Sequence, residues 1–534
     1  MYFPRTFAKS LAALFTLALL FSFAAVSYSQ DVLTYRNNNA RTSLNNKETT
    51  LTTANVNVNT FGRLFTLSVD GLVDAQPLYA SAVNISGSTH NVLIVATEHG
   101  SIYAFDADTG TQYWKITTLA SGEATSDDRG CDQVVPEIGI TATPVISRPK
   151  GSNGVLYAVA MSKDSTGNYH QRLHALDVPT GTELYNGPVE ISAKYPGTGD
   201  NSSGGYVIFD PAQYKERSGQ LLAGGKIYLA WASHCDIRPY TGWIMAYNSS
   251  NLTQTSVLNV TPNGNEGAIW GSGAGLTSDG NGNLFFLDAN GLFDSTLNSS
   301  GFPASGDYGN AFMRTTTKGS LAVADYFEMD NEQDENNGDV DLGSGGTLLL
   351  PNMKDSTGAT RQLAAGAGKD GNLYLVDRTN MGKFNSSSNN IYQELSGVLP
   401  GGMWNSPAYS AGSIFYGPVN SPIYAFQFKN ARLLTSAVAQ SANSFGFPGA
   451  TLVTSSNTGT NAIVWAVENV NPAVLHAYSA PKLTELYNTN QAANGRDQFG
   501  NGNKYATPTV TNGKVYVPTT NGVGVFGLLS GKTK

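Results

Sequence analysis

The sequence predicts an all-β chain closed into a ring, an eight-bladed β-propeller. Three observations carry that prediction: a three-strand unit recurs along the chain, its phase repeats at a regular step, and the composition favours strands and turns. The chain has 534 residues, ample for a large core. Charged residues are only 13% of it, whereas Gly numbers 58, Tyr 26 and Phe 23. That is turn-rich and aromatic-rich, and it excludes a coiled coil. Lys plus Arg is 32 against 40 for Asp plus Glu, a net charge of −8, with no basic run. A surface that tracks nucleic-acid phosphates is therefore excluded.

Taken in order, residues 1–29 read as a signal peptide. Arg5 and Lys9 precede an apolar stretch from Leu11 to Val26, and Ser27 and Ser29 suit a cleavage site before Gln30. The stretch is shorter than the roughly 20 residues that span a bilayer, the alternative being an uncleaved anchor. No membrane span is expected in the mature chain, and export to the periplasm or the extracellular space is. Removing two cations takes the net charge from −8 to −10. In an oxidising compartment the two cysteines, Cys131 and Cys235, are expected to pair, two unpaired thiols being the alternative. Residues 31–60, rich in Asn and Thr, are expected to clasp one face. Phe61–Val69 alternates in the manner of a strand and is expected to close the ring; residues 31–69 thus form an N-terminal clasp and closing strand within a single domain, 30–534.

The unit is clearest in AQPLYASAV, HNVLIVATEHG and SIYAFDADTG, and again in TATPVIS, GVLYAVAM and RLHALDVPTG. A small or apolar residue marks the third strand at Ala104, Ala175, Ala246, Ala324, Leu375, Ala425, Ala477 and Gly524. The later markers lie about 50 residues apart, a propeller period, and the earlier units carry insertions. Eight markers mean eight blades, or seven if Ala324 is spurious, since ADYF lacks the Asp and Thr-Gly turn. The last unit supplies only three strands, so its fourth must come from the N-terminus.

This arrangement, with NNNARTSLNN at the start and FDADTGTQYWK as a blade signature, resembles the quinoprotein alcohol dehydrogenase family, whose blades carry pyrroloquinoline-quinone (PQQ) repeats. The resemblance spans nearly all of the mature chain. It implies PQQ and calcium as cofactors and an alcohol or sugar hydroxyl as substrate. It makes Trp270 of WGSGAG the indole under the quinone and Asn290 of LDANG a calcium ligand. It makes Asp341 of DVDLGSGG the general base beside the metal, with Asp339 as its neighbour in the same run, and Lys369 of GKDGNLYLVDR the cation near the quinone oxygens. A hard cation takes oxygen ligands, and a carboxylate beside it stays ionised and accepts a proton.

Several departures oppose this. The family's adjacent-cysteine lid is absent, since Gly130 precedes Cys131. The expected calcium-binding Glu is missing, leaving Asp164 as its nearest replacement, and Met403 stands before Trp404 where the family often has Asn. No C-x-x-C-H occurs, so no covalent haem is expected. His170, Arg172 and His174 share one strand face, and His234-Cys235-Asp236 is an isolated triplet; neither forms a zinc signature. The alternative function is a non-catalytic secreted propeller that binds an envelope or extracellular ligand.

Overall fold

The computed structural model describes residues 31–530, so the signal peptide expected at 1–29 lies outside the described residues. Eight sheets of four or five strands follow one another along the chain. In the first, Leu78–Ile85, Ser88–Ala96, Ser101–Asp106 and Gln112–Thr117 pair in sequence order, all antiparallel. The middle strands are buried on both faces because each sheet is covered by a neighbour on either side. Eight apolar clusters fill the gaps between consecutive sheets. One of them joins Tyr516 and Val525 of the last sheet to Tyr79 and Leu93 of the first, so the array is a closed ring.

Closure comes from the N-terminus, as the missing strand requires. Phe61–Ser68 pairs with Gly522–Leu528 as the outer strand of the last sheet. Phe61 is fully buried, 5.0 Å from Tyr487 edge-on and 5.5 Å from Trp465, in the cluster between the seventh and eighth sheets. Seven of the eight phase markers fall on third strands. Ala324 instead lies on the outer strand Ala322–Phe327, because the third strand of that sheet is Phe312–Thr316. FMRTT carries neither an Asp nor a Thr-Gly turn, which is why the marker slipped by one strand.

The expected clasp is a hub at one end of the ring axis. Residues 32–45 touch the innermost strand of every sheet. Backbone bonds join Val32 to Tyr79, Leu33 to Ile146, Asn39 to Ser278, Ala40 to Leu349, Thr42 to Tyr409 and Ser43 to Thr454. Side-chain amides complete the circuit, Asn39 donating to the Leu222 carbonyl and Asn45 to that of Val510. Turning so tightly puts Arg36, Asn37, Arg41 and Ser43 at positive φ, a conformation that costs each about 1 kcal/mol or more. Arg41 offsets this cost. Its fully buried guanidinium donates to Thr34 Oγ1 and to the carbonyls of Tyr35, Gly219, Gln220 and Leu276. Burial pushes its pKa down to about 9.

Candidate functional site

The innermost strands bond to the hub, while loops that lead into them, together with loops between second and third strands, surround a cavity of about 200 Å³. Trp270, Asn290, Asp341 and Lys369 all line it, although they come from separate loops over a hundred residues. Close backbone approach explains how. A Cβ on Gly343 would sit 2.5 Å from the Asp288 carbonyl, and one on Gly368 2.6 Å from that of Asp341. Glycine at both positions lets the loops bearing Asn290, Asp341 and Lys369 pack backbone to backbone. Trp270 precedes three consecutive residues at positive φ, Gly271, Ser272 and Gly273, which turn the chain into the next sheet. Ser272 Oγ fixes that turn by donating to the Ser344 carbonyl.

Asn290, Asp339, Asp341 and Lys369 form one electrostatic unit. Lys369 Nζ lies 2.5 Å from Asp341 Oδ1 and 2.6 Å from Asp339 Oδ1, and Asn290 Nδ2 donates to the same Asp339 oxygen at 2.8 Å. Asn290 Oδ1 is buried and has no partner. Burial pushes the Asp341 pKa up to about 6, with Lys369 restraining the rise. Burial likewise works against the Lys369 charge, but Asp341 and Asp339 outweigh it and its pKa lies above the ordinary lysine value. Arg217 supplies a second cation, its guanidinium 4.3 Å from the centre of the Tyr505 ring, and both residues line the cavity.

One wall is built by the disulfide. Cys131 and Cys235 are joined, and Cys235 lines the cavity. Asp128 anchors both flanking loops: it accepts from the Gln133 and Val134 amides, from Lys215 Nζ at 2.9 Å and from His234 Nδ1 at 2.8 Å. Burial opposes its charge, yet His234 and Lys215 prevail and hold its carboxyl below the usual range. Burial lowers the Lys215 pKa to about 8 against the pull of Asp128. Thus His234 orders the wall by bonding Asp128, and the disulfide expected from the sequence is formed and lies at the cavity.

Asp164 is not part of the site. It sits in the turn between Val155–Lys163 and Tyr169–Asp177, where Thr166 and Asn168 saturate its carboxylate. A turn-capping Asp is held by its own loop, so it cannot replace the missing Glu. Nor do His170 and His174 ligate anything together, since His170 pairs with Glu190 and His174 with Glu183.

Sequence reasoning missed Arg217 and Tyr505 as site residues and noted Trp404 only as a departure. A signal existed. Asp74, Thr141, Trp404 and Tyr505 each stand three residues before a proline that opens an innermost strand, namely Pro77, Pro144, Pro407 and Pro508, and all four line the axial cavities. Phase was read from the small residue of the third strand, whereas the residue three before the proline of the innermost strand is the one that lines the axial cavities.

No protein-family model matches this sequence, and no curated protein does. Solved structures do match in shape. The chain has the propeller fold of the quinoprotein alcohol dehydrogenases. It is similar to a quinohemoprotein alcohol dehydrogenase from Comamonas testosteroni, with a TM-score of 0.61 and 13% identity over 95% of this chain and 81% of that one. It is similar also to a quinohemoprotein alcohol dehydrogenase from Pseudomonas putida HK5, with a TM-score of 0.60, 12% identity and the same coverage. A europium-containing methanol dehydrogenase matches with a TM-score of 0.58 and 12% identity over 93% of this chain and 98% of that one. At such identity the likeness establishes the fold.

Proposed function

We propose that this protein is an exported, PQQ-dependent dehydrogenase that oxidises the hydroxyl group of an alcohol or sugar. The observation that carries the reading is the unpartnered, buried Asn290 Oδ1, in the same cavity as Asp341, Lys369 and the indole of Trp270. The residues fit PQQ: a flat aromatic acid suits the Trp270 face, and Arg217 and Lys369 suit its carboxylate and quinone oxygens. Calcium would draw on Asn290 Oδ1 and the Asp341 and Asp339 carboxylates. Among the described residues no group of three or more His, Cys, Asp or Glu side chains is arranged to hold a metal, so other oxygens must come from cofactor or solvent. PQQ, when bound, supplies the two-electron acceptor for substrate oxidation.

The chain's own residues handle the proton. With a pKa of about 6, Asp341 is mostly ionised at neutral pH yet more basic than an ordinary aspartate, as a general base requires. Lys369 keeps that carboxylate charged in a dry site and can stabilise negative charge that develops nearby. Two measurements test the proposal. Mature protein incubated with PQQ and calcium should retain quinone absorbance through gel filtration, and Asp341→Asn should retain it while losing dye-linked alcohol oxidation. If no quinone is retained, a non-catalytic binding propeller is the reading that stands; unchanged activity would remove Asp341 from the mechanism.

A further inference from the structure

A second concave site lies on the opposite face of the ring. Two hairpins build it: Met353–Lys354 with Thr360–Arg361, and the end of Ser421–Lys429 with Arg432–Leu433. The first follows the innermost strand of the fifth sheet, and the second follows the third strand of the sixth. Lys369, by contrast, follows a second strand. In antiparallel sheets these connections emerge at opposite ends, so this cleft faces away from the quinone-type cavity. Its volume is about 460 Å³.

Arg361, Lys429 and Arg432 converge on the cleft around Tyr392. The two guanidiniums stand 5.8 and 4.5 Å from the Tyr392 ring centre, and Arg432 also donates to the Tyr392 carbonyl. Gln393, on the outer strand of the fifth sheet, holds the second hairpin in place by bonding the Leu433 amide and carbonyl. Arg361 is neutralised by Asp355 at 2.8 Å, with Asp377 at 3.6 Å. Among the described residues Lys429 and Arg432 have no carboxylate within 4.0 Å. Two uncompensated cations therefore share a preformed cleft in a chain of net charge −8. Leu434, 37% exposed, forms an apolar edge beside them.

We propose that this cleft binds a phosphate ester, with the oxyanion held by Arg432 and Lys429 and the organic group lying against Leu434. The guanidinium fork matches two phosphate oxygens, the ammonium adds a point charge, and two positive charges balance a phosphomonoester dianion. The ester can be a soluble molecule or a lipid headgroup, and the shared chemistry is the same.

The test uses the mature full-length protein and calorimetry with phenyl phosphate and inorganic phosphate. Phenyl phosphate should bind, inorganic phosphate more weakly, and Lys429→Ala with Arg432→Ala should weaken both about tenfold or more. Removing two distant exposed charges, Lys150→Ala with Lys318→Ala, should leave binding unchanged. Absence of phenyl phosphate binding overturns the proposal, as does equal loss in both double variants or no loss in the first. Sedimentation with vesicles containing phosphatidic acid, a phosphomonoester lipid, then identifies the source. Capture that is lost in Lys429→Ala with Arg432→Ala assigns a headgroup, and no capture alongside phenyl phosphate binding assigns a soluble ester. Capture that survives that double variant counts against the site. All four substituted residues are exposed, so melting curves should match the parent. Quinone retention is read separately, so the two sites fail or stand independently.

Discussion

Breaking the Cys131–Cys235 bond by Cys131→Ser with Cys235→Ser releases a constraint on the unfolded chain across 104 residues of sequence. In the chain-entropy model a loop of that length contributes about 4.7 kcal/mol of stability at 25 °C. The folded state loses much less. Asp128 still ties the two loops together through the Gln133 and Val134 amides, Lys215 and His234, so the cavity wall should persist. The expected signature is a large fall in unfolding free energy with an unchanged native tryptophan spectrum, measured by urea titration without reductant. Either single Cys→Ser should cost nearly as much as the pair, because each alone abolishes the bond. A loss below about 1 kcal/mol would refute the loop-entropy reasoning. A full loss in the double variant with little in one single would point to packing of the other cysteine's sulfur rather than to the crosslink.

Phe61→Ala should destabilise by about 3–5 kcal/mol in the same titration, since it empties a fully buried aromatic site that holds the closing strand; a cost under about 1 kcal/mol would mean closure does not depend on it. Arg41→Lys should cost about 2–3 kcal/mol, because three ammonium donors cannot replace five directed guanidinium bonds, and a neutral result would remove the hub from the stability argument. Burial disfavours a charged His476, but Glu468 at 3.3 Å and Glu485 at 2.9 Å outweigh it and raise its pKa in the fold. The stability this gives is complete below about pH 6.5, the unfolded value, and is lost as pH rises through the folded value. His476→Gln should flatten melting temperature against pH in that window, and an unchanged profile would show that the pair does not contribute.

The repeat, the ring and its closing strand were legible because they depend on period and alternation, which are local. FDADTG and LDVPTG announce their own turns, and a three-stranded final unit demands a fourth from elsewhere. The fold of the family was legible from the same motifs. Trp270, Asn290, Asp341 and Lys369 were legible as residues through that resemblance, but their meeting was not, because it requires backbones near Gly343 and Gly368 to touch. Asp164 shows the opposite case: its register in the sequence suited a ligand, and the chain uses it to cap a turn. Only the tertiary structure placed the disulfide on the cavity wall, brought Arg217 and Tyr505 to the axis, and made residues 32–45 a hub bonded to all eight innermost strands. The physical reason is distance along the chain. Strand, turn and period are set by neighbours within a few residues, whereas a charge pair or an axial contact exists only after the ring closes and brings together loops that the sequence separates by hundreds of positions.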